Sequence, residues 1–88
     1  MKTLANTSQF KKDIKLMKKR GKKFEKFKQV IENLVMEIAL DERYRDHALI
    51  GQYKGTRECH IEPDWLLIYE TTESEIILIR TGSHADLF

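Results

Sequence analysis

The hydrophobic period changes once along this chain, and that change restricts the fold more than any other feature. Up to Leu40 the apolar residues recur every three or four positions: Phe10, Ile14 and Met17, then Phe24, Phe27, Ile31, Leu34, Val35 and Ile38. That spacing gathers side chains on one face of an α-helix. Beyond Gly55 the apolar residues fall into short runs of strand length, roughly Thr56 to Glu62, Trp65 to Glu70 and Glu75 to Thr81. Glu62-Pro63-Asp64 and Thr71-Thr72-Glu73-Ser74 supply the turns between them. The first helix is predicted from Gln9 to Arg20, with Thr7 or Ser8 as its cap and Gly21 ending it behind the cationic turn Lys18-Lys19-Arg20. The second runs from about Lys22 to Leu40. So short a connection predicts an antiparallel helical hairpin, basic outside and apolar inside. Lys2 to Thr7 reads as a short edge strand, and Asp41 to Lys54 as an ordered loop without regular structure. Ile76-Ile77-Leu78-Ile79 is apolar on both faces, as expected of a central strand covered by helices on at least one side. The expected class is α+β: a strand, two helices, then an antiparallel meander of three strands.

Eighty-eight residues, 41% of them apolar and 34% charged, predict one folded unit over residues 1–88 with a modest core and no second domain. The apolar run 76–79 is far shorter than the roughly 20 residues of a membrane span. No secretory h-region precedes the basic stretch, so a cytoplasmic protein without membrane contact is expected. A single cysteine, Cys59, cannot form an internal disulfide and reads as a half-buried strand residue. The net charge of +2 conceals an asymmetry. Residues 1–40 carry 11 Lys/Arg against 4 Asp/Glu, a net of +7, and residues 41–88 carry 5 against 10, a net of −5. A basic half of this kind suits phosphates or an acidic partner, and suits equally well a solvated lysine-rich helix face.

The histidines, His47, His60 and His84, all lie in the second half. Zinc is the first possibility for three histidines and a cysteine, but Cys59 and His60 are strand neighbours whose side chains point to opposite faces. No Cys-x-x-Cys or His-x-x-x-His pair is present, so no metal and no cofactor is expected. The second possibility is acid–base cleavage of RNA, which needs a base for the 2′-hydroxyl, an acid for the 5′-oxygen and a cation for the phosphorane. Imidazole serves in either proton-transfer role near neutral pH, each such group being worth about 10²–10⁴-fold in rate. Asp64 could orient an imidazole or hold a substrate hydroxyl. Arg80, Lys54 and Arg57 are candidate cations, and Trp65 and Phe88 are placed where bases could stack. Each residue also has a plain structural reading: histidines as surface or hydrogen-bonded groups, Trp65 as core filling beside Leu66-Leu67-Ile68-Tyr69. No phosphate-binding loop, Gly-x-Ser-x-Gly elbow or dinucleotide fingerprint is present.

Several segments together resemble the YafQ-like toxins of the RelE superfamily. They are Tyr44-Arg45-Asp46-His47-Ala48-Leu49, Gly51, Tyr53-Lys54-Gly55, the run Arg57 to Tyr69 and the run Arg80 to Phe88. The resemblance is carried most specifically by His-x-x-Pro-Asp-Trp at His60 to Trp65 and by Gly-Ser-His-x-x-Leu-Phe at Gly82 to Phe88, in order and at family-like separation. It implies a RelE-like fold, β-α-α-β-β-β, in which a twisted antiparallel sheet packs against two N-terminal helices. It also implies ribosome-dependent cleavage of messenger RNA in the A site. The positions matching His47, His60, Asp64 and His84 line the site in that family, with Trp65 beside them and Phe88 contributing to activity. On this footing we expect His84 and His60 to transfer protons, His47 to meet transition-state charge or align the substrate, Asp64 to orient, and Arg80 to contact phosphate. Ala48 stands where the family usually has proline, so the loop presenting His47 lacks that stiffening.

The resemblance further implies a cognate antitoxin protein, the ribosome and mRNA as partners, and contact with operator DNA only through the antitoxin. Two alternatives stand beside the nuclease. One is a non-catalytic toxin homologue acting as an antitoxin-binding co-repressor, and the other is a zinc-dependent enzyme. A dead homologue has no chemical reason to keep all three histidines.

Overall fold

A computed structural model describes residues 1–88. In chain order the elements are β1 (Thr3–Asn6), α1 (Ser8–Lys19), α2 (Glu25–Val35), β2 (His47–Ala48), β3 (Arg57–Glu62), β4 (Trp65–Thr71), β5 (Glu75–Gly82) and α3 (His84–Leu87). Short 3₁₀ turns at Glu42–Tyr44 and Gly51–Tyr53 flank β2. No helix is long and apolar enough to cross a membrane.

Local chemistry sets the helix ends. The Thr7 hydroxyl accepts the Phe10 amide at 3.0 Å, satisfying one of the amides that open α1. At the other end Lys22 N–H donates to the Met17 carbonyl and Gly21 N–H to that of Lys18, a Schellman closure. It requires the left-handed conformation that Gly21 adopts at φ 76°. The second helix is shorter than its apolar period predicts. The same closure recurs when Ile38 N–H reaches the Asn33 carbonyl and Glu37 N–H that of Leu34, with Glu37 left-handed at φ 60°. A glutamate carries no sequence signal for that conformation, so the expected extension to Leu40 overshoots.

The predicted hairpin is also corrected. The helices meet through the Phe10–Phe27 ring stack, but α1 packs chiefly on β5 and α2 on β3 and β5, leaving an apolar cleft between them. The sheet offers both helices a larger apolar surface than either offers the other.

The sheet order is β1-β5-β4-β3-β2. The β3-β4-β5 meander is antiparallel as predicted, but β1 runs parallel to β5, pairing Thr3 with Glu75 through Asn6 with Leu78, so the sheet is mixed rather than wholly antiparallel. The central strand is β4. It sends Trp65, Leu67 and Tyr69 into the core beneath the helices, and Leu66 and Ile68 into a smaller cluster with Leu87, Leu49, Tyr53 and Ile79 on the opposite face. A bulge in the β4–β5 pairing leaves Ile79 unpaired between Leu78 and Arg80; Ile79 faces that second cluster, and the extra residue returns Thr81 to the core face beside Trp65. Where β5 runs beyond β1, the buried Asp13 of α1 takes over its edge. The carboxylate accepts from Thr81 N–H at 3.2 Å and from Arg80 Nε and Nη2 at 2.9 and 3.1 Å. A buried carboxylate persists because it is paired in this way.

Candidate active site

The site lies on the sheet face opposite α1 and α2. Period two along β3 turns Cys59 and Ile61 toward the helices and leaves Glu58 and His60 on the other face. His47 pairs with Glu58 across β2 and β3 and so shares that face. His84 arrives from the far side of the sheet at the start of α3. The three rings form a chain, with 6.3 Å between the centroids of His47 and His60 and 5.7 Å between those of His60 and His84.

His47 and His84 each have one ring nitrogen hydrogen-bonded to an acceptor, and His60 has one beside a carboxylate. Asp64 Oδ1, in the β3–β4 turn, accepts both the His84 amide at 2.9 Å and its Nδ1 at 2.8 Å. These bonds hold the Asp64 carboxyl below its ordinary range. Glu58 Oε1, almost fully buried, lies 3.1 Å from His60 Nε2 and 3.8 Å from His47 Nε2. His47 Nδ1 lies 2.7 Å from the Arg45 carbonyl. Assigned from these partners, the neutral tautomers are Nδ1–H for His84 and His47 and Nε2–H for His60. Nε2 of His84 and Nδ1 of His60 are then free, and Nε2 of His47 faces Glu58 Oε1 from 3.8 Å.

The His84 segment is fixed from several directions. Ser83 and Asp86 form a reciprocal capping box, and Arg20, just past the end of α1, grips Asp86 with contacts of 2.6 and 3.0 Å. The Arg20 guanidinium and the Ser83 amide push the Asp86 carboxyl far below the usual range. Gly82 is required here, because a Cβ would stand 2.9 Å from Asp86 Oδ2, an atom already tied to Arg20 and Ser83.

The remaining candidates divide. Trp65 is 1% exposed, stacked on Phe27 and edge-on to Phe24, with Nε1 donating to Thr81 Oγ1 at 2.8 Å. It is a core residue whose ring cannot meet a base, because its position on β4 directs it toward the helices. Arg80 is spent on Asp13, and Arg57 on Asp46, which also accepts from the Tyr69 hydroxyl. That Asp46 network anchors the residue next to His47. Lys54 is exposed after the second 3₁₀ turn, and Phe88 is exposed with its ring edge-on to Tyr53.

Glu58 is the residue that sequence reasoning missed. The alternation that separates Cys59 from His60 places Glu58 beside His60, and that signal was present in the sequence. Donor atoms of Glu58, His60 and His84 lie within 4.8 Å of one another, so these three could hold a cation, whereas Cys59 could not join them.

Compared with known proteins, the sequence matches the family described as "Bacterial toxin of type II toxin-antitoxin system, YafQ" over residues 2–88. The chain belongs to the YafQ toxin family. It is 43% identical over 83 residues to the mRNA interferase toxin YafQ of Escherichia coli K12, covering 93% of this chain and 90% of that one. The E. coli DinJ–YafQ complex contains a chain that superposes with a TM-score of 0.92 at 40% identity, over 100% of this chain and 99% of that one. A metal-bound toxin from Helicobacter pylori superposes with a TM-score of 0.93 at 40% identity over all of both chains. The family suggested by the two motifs is the one matched, and its α+β architecture is the one observed.

Proposed function

We propose that this toxin is an endoribonuclease, an mRNA interferase that inhibits translation by cutting messenger RNA in the ribosomal A site through acid–base attack of the 2′-hydroxyl. Membership of the toxin family and 43% identity to a YafQ mRNA interferase support the activity. One observation supports the mechanism: three imidazoles gathered on one sheet face, those of His47 and His84 hydrogen-bonded through Nδ1 and that of His60 set against the Glu58 carboxylate.

In this reaction the 2′-oxygen attacks phosphorus as its proton passes to one imidazole, and the 5′-oxygen leaves with a proton from another. The products are a 2′,3′-cyclic phosphate and a 5′-hydroxyl. His84 and His60 make the two transfers through Nε2 and Nδ1, oriented by Asp64 and Glu58 as a carboxylate orients the histidine of a catalytic triad. His47 meets the charge on the phosphorane. The toxin works in the cytoplasm and is neutralised by a cognate antitoxin, as YafQ is bound by DinJ in the E. coli complexes. Operator DNA is reached only through that antitoxin.

The test is induction of the wild-type chain beside His84→Ala in growing bacteria, with primer extension on a reporter mRNA. Codon-phased cuts that disappear in the variant are expected. A folded, ribosome-bound wild type that makes no cuts would replace this reading with a non-catalytic, antitoxin-binding role.

A further inference from the structure

A cleft of about 350 Å³ opens beside His60, where β3 runs on past the two-residue strand β2. Its walls include Lys26 of α2, Arg43 and Tyr44 of the first 3₁₀ turn, Arg45 that follows them, and Pro63. Its arginines differ from the others of the chain. Arg20, Arg57 and Arg80 are each committed to a carboxylate, whereas Arg43 and Arg45 form no ion pair, and both line this cleft. The acid on the wall, Glu62, is paired with Lys22 at 3.3 Å. The Arg43 guanidinium lies 5.0 Å from the centre of the Tyr44 ring, which braces the side chain without neutralising it. Arg45 is left-handed at φ 49°, a conformation that a non-glycine residue keeps only when its surroundings enforce it. Its carbonyl holds His47 Nδ1 while its side chain lines the cleft, so one residue joins the cationic wall to the catalytic histidines.

RNA carries one phosphate per nucleotide. A strand whose scissile phosphate sits among His47, His60 and His84 must therefore place another phosphate nearby, and His60 is shared between the histidine cluster and the cleft. We propose that Lys26, Arg43 and Arg45 form a subsite for the substrate phosphate adjacent to the scissile one. This assignment rests on the ribonuclease reading above. The cleft binds the backbone and fixes the register of the strand, and the histidines perform the chemistry.

The experiment is an NMR titration of the ¹⁵N-labelled full chain with 2′-O-methylated ApA, pApA and ApAp. The methyl group blocks the nucleophile, so these ligands cannot be cut. One of the two terminally phosphorylated ligands is expected to bind about tenfold more tightly than ApA, the scale of one charge-assisted phosphate contact. Its additional shift changes should map to Lys26 and residues 43–45. In Arg43→Gln/Arg45→Asn that gain, taken as the ratio to ApA affinity in the same variant, disappears, and in Arg43→Lys/Arg45→Lys most of it returns. Asparagine is chosen at 45 because it tolerates the left-handed conformation. Equal affinity for the three ligands, no binding of any, or a gain that survives in the folded Gln/Asn variant would overturn the subsite. Wild type that cuts mRNA in a translating extract but shows no phosphate gain overturns the subsite alone, whereas wild type that cuts nothing removes the nuclease reading itself.

Discussion

Glu58 is 5% exposed between two imidazoles, and a carboxylate so placed is stable only because those rings face it. Its Oε1 stands 3.1 Å from His60 Nε2 and favours the Nε2–H tautomer, so replacing it should damage turnover more than substrate binding. Glu58→Gln keeps the volume and one acceptor oxygen but loses the charge. It is expected to lower kcat by about 10–100-fold, the usual effect of losing the partner that orients an active-site imidazole, with KM little changed. Long-range ¹H–¹⁵N spectra separate orientation from simple damage to the fold: His60 should be the Nε2–H tautomer in the wild type and a mixture in Glu58→Gln, with His84 unaltered. A variant with wild-type kcat would remove Glu58 from the site. Beside Ala48, where the loop lacks a stiffening proline, His47 is held by β2–β3 pairing and by the Arg45 carbonyl.

At the scale of elements, α3 is the exposed dependency. Four residues cannot persist as a helix alone, so His84 is placed by contacts from outside its own turn. Arg20 links the end of α1 to Asp86, and Asp64 links the β3–β4 turn to His84. Because the folded Asp86 carboxyl is depressed, its contribution to stability is complete above the ordinary aspartate range, about pH 3.9, and is lost as pH falls toward the folded value. Urea midpoints of wild type and Asp86→Asn should therefore differ by a constant amount between pH 5 and 7 and approach one another below about pH 4. Parallel curves down to pH 2 would show that the ion pair does not hold α3.

For the whole molecule, the histidines and the lysine-rich helices occupy opposite faces of one sheet. The +7 of residues 1–40 is carried largely by exposed side chains of α1 and α2, which under the proposed function would engage ribosomal RNA while the other face meets the codon. Neutralising Lys11, Lys12 and Lys15 to glutamine should weaken association with ribosomes. The slope of log affinity against log salt should fall by about two to three, because each phosphate left without its lysine keeps its counterion. Filter binding at graded salt measures this. An unchanged slope would assign those lysines to the plainly solvated face.

Local chemistry made a good part of this protein legible in the sequence. The α+β class, the start and end of α1, the meander and the turns all follow from side-chain period, capping groups and turn residues, which act within a few positions. Two spaced motifs identified the family and brought His60, Asp64 and His84 forward together, with His47 added by the segment Tyr44 to Leu49. Tertiary structure decided the rest, because those outcomes depend on residues far apart in sequence. The parallel pairing of β1 with β5, the docking of both helices on the sheet, the burial of Trp65 and the pairing of Arg80 with Asp13 are each set by which surfaces meet once the chain closes. A side chain's type limits what it can do, but its partners determine whether it remains free to do it, and for Arg80 as for Glu58 those partners are brought up only by the folded molecule.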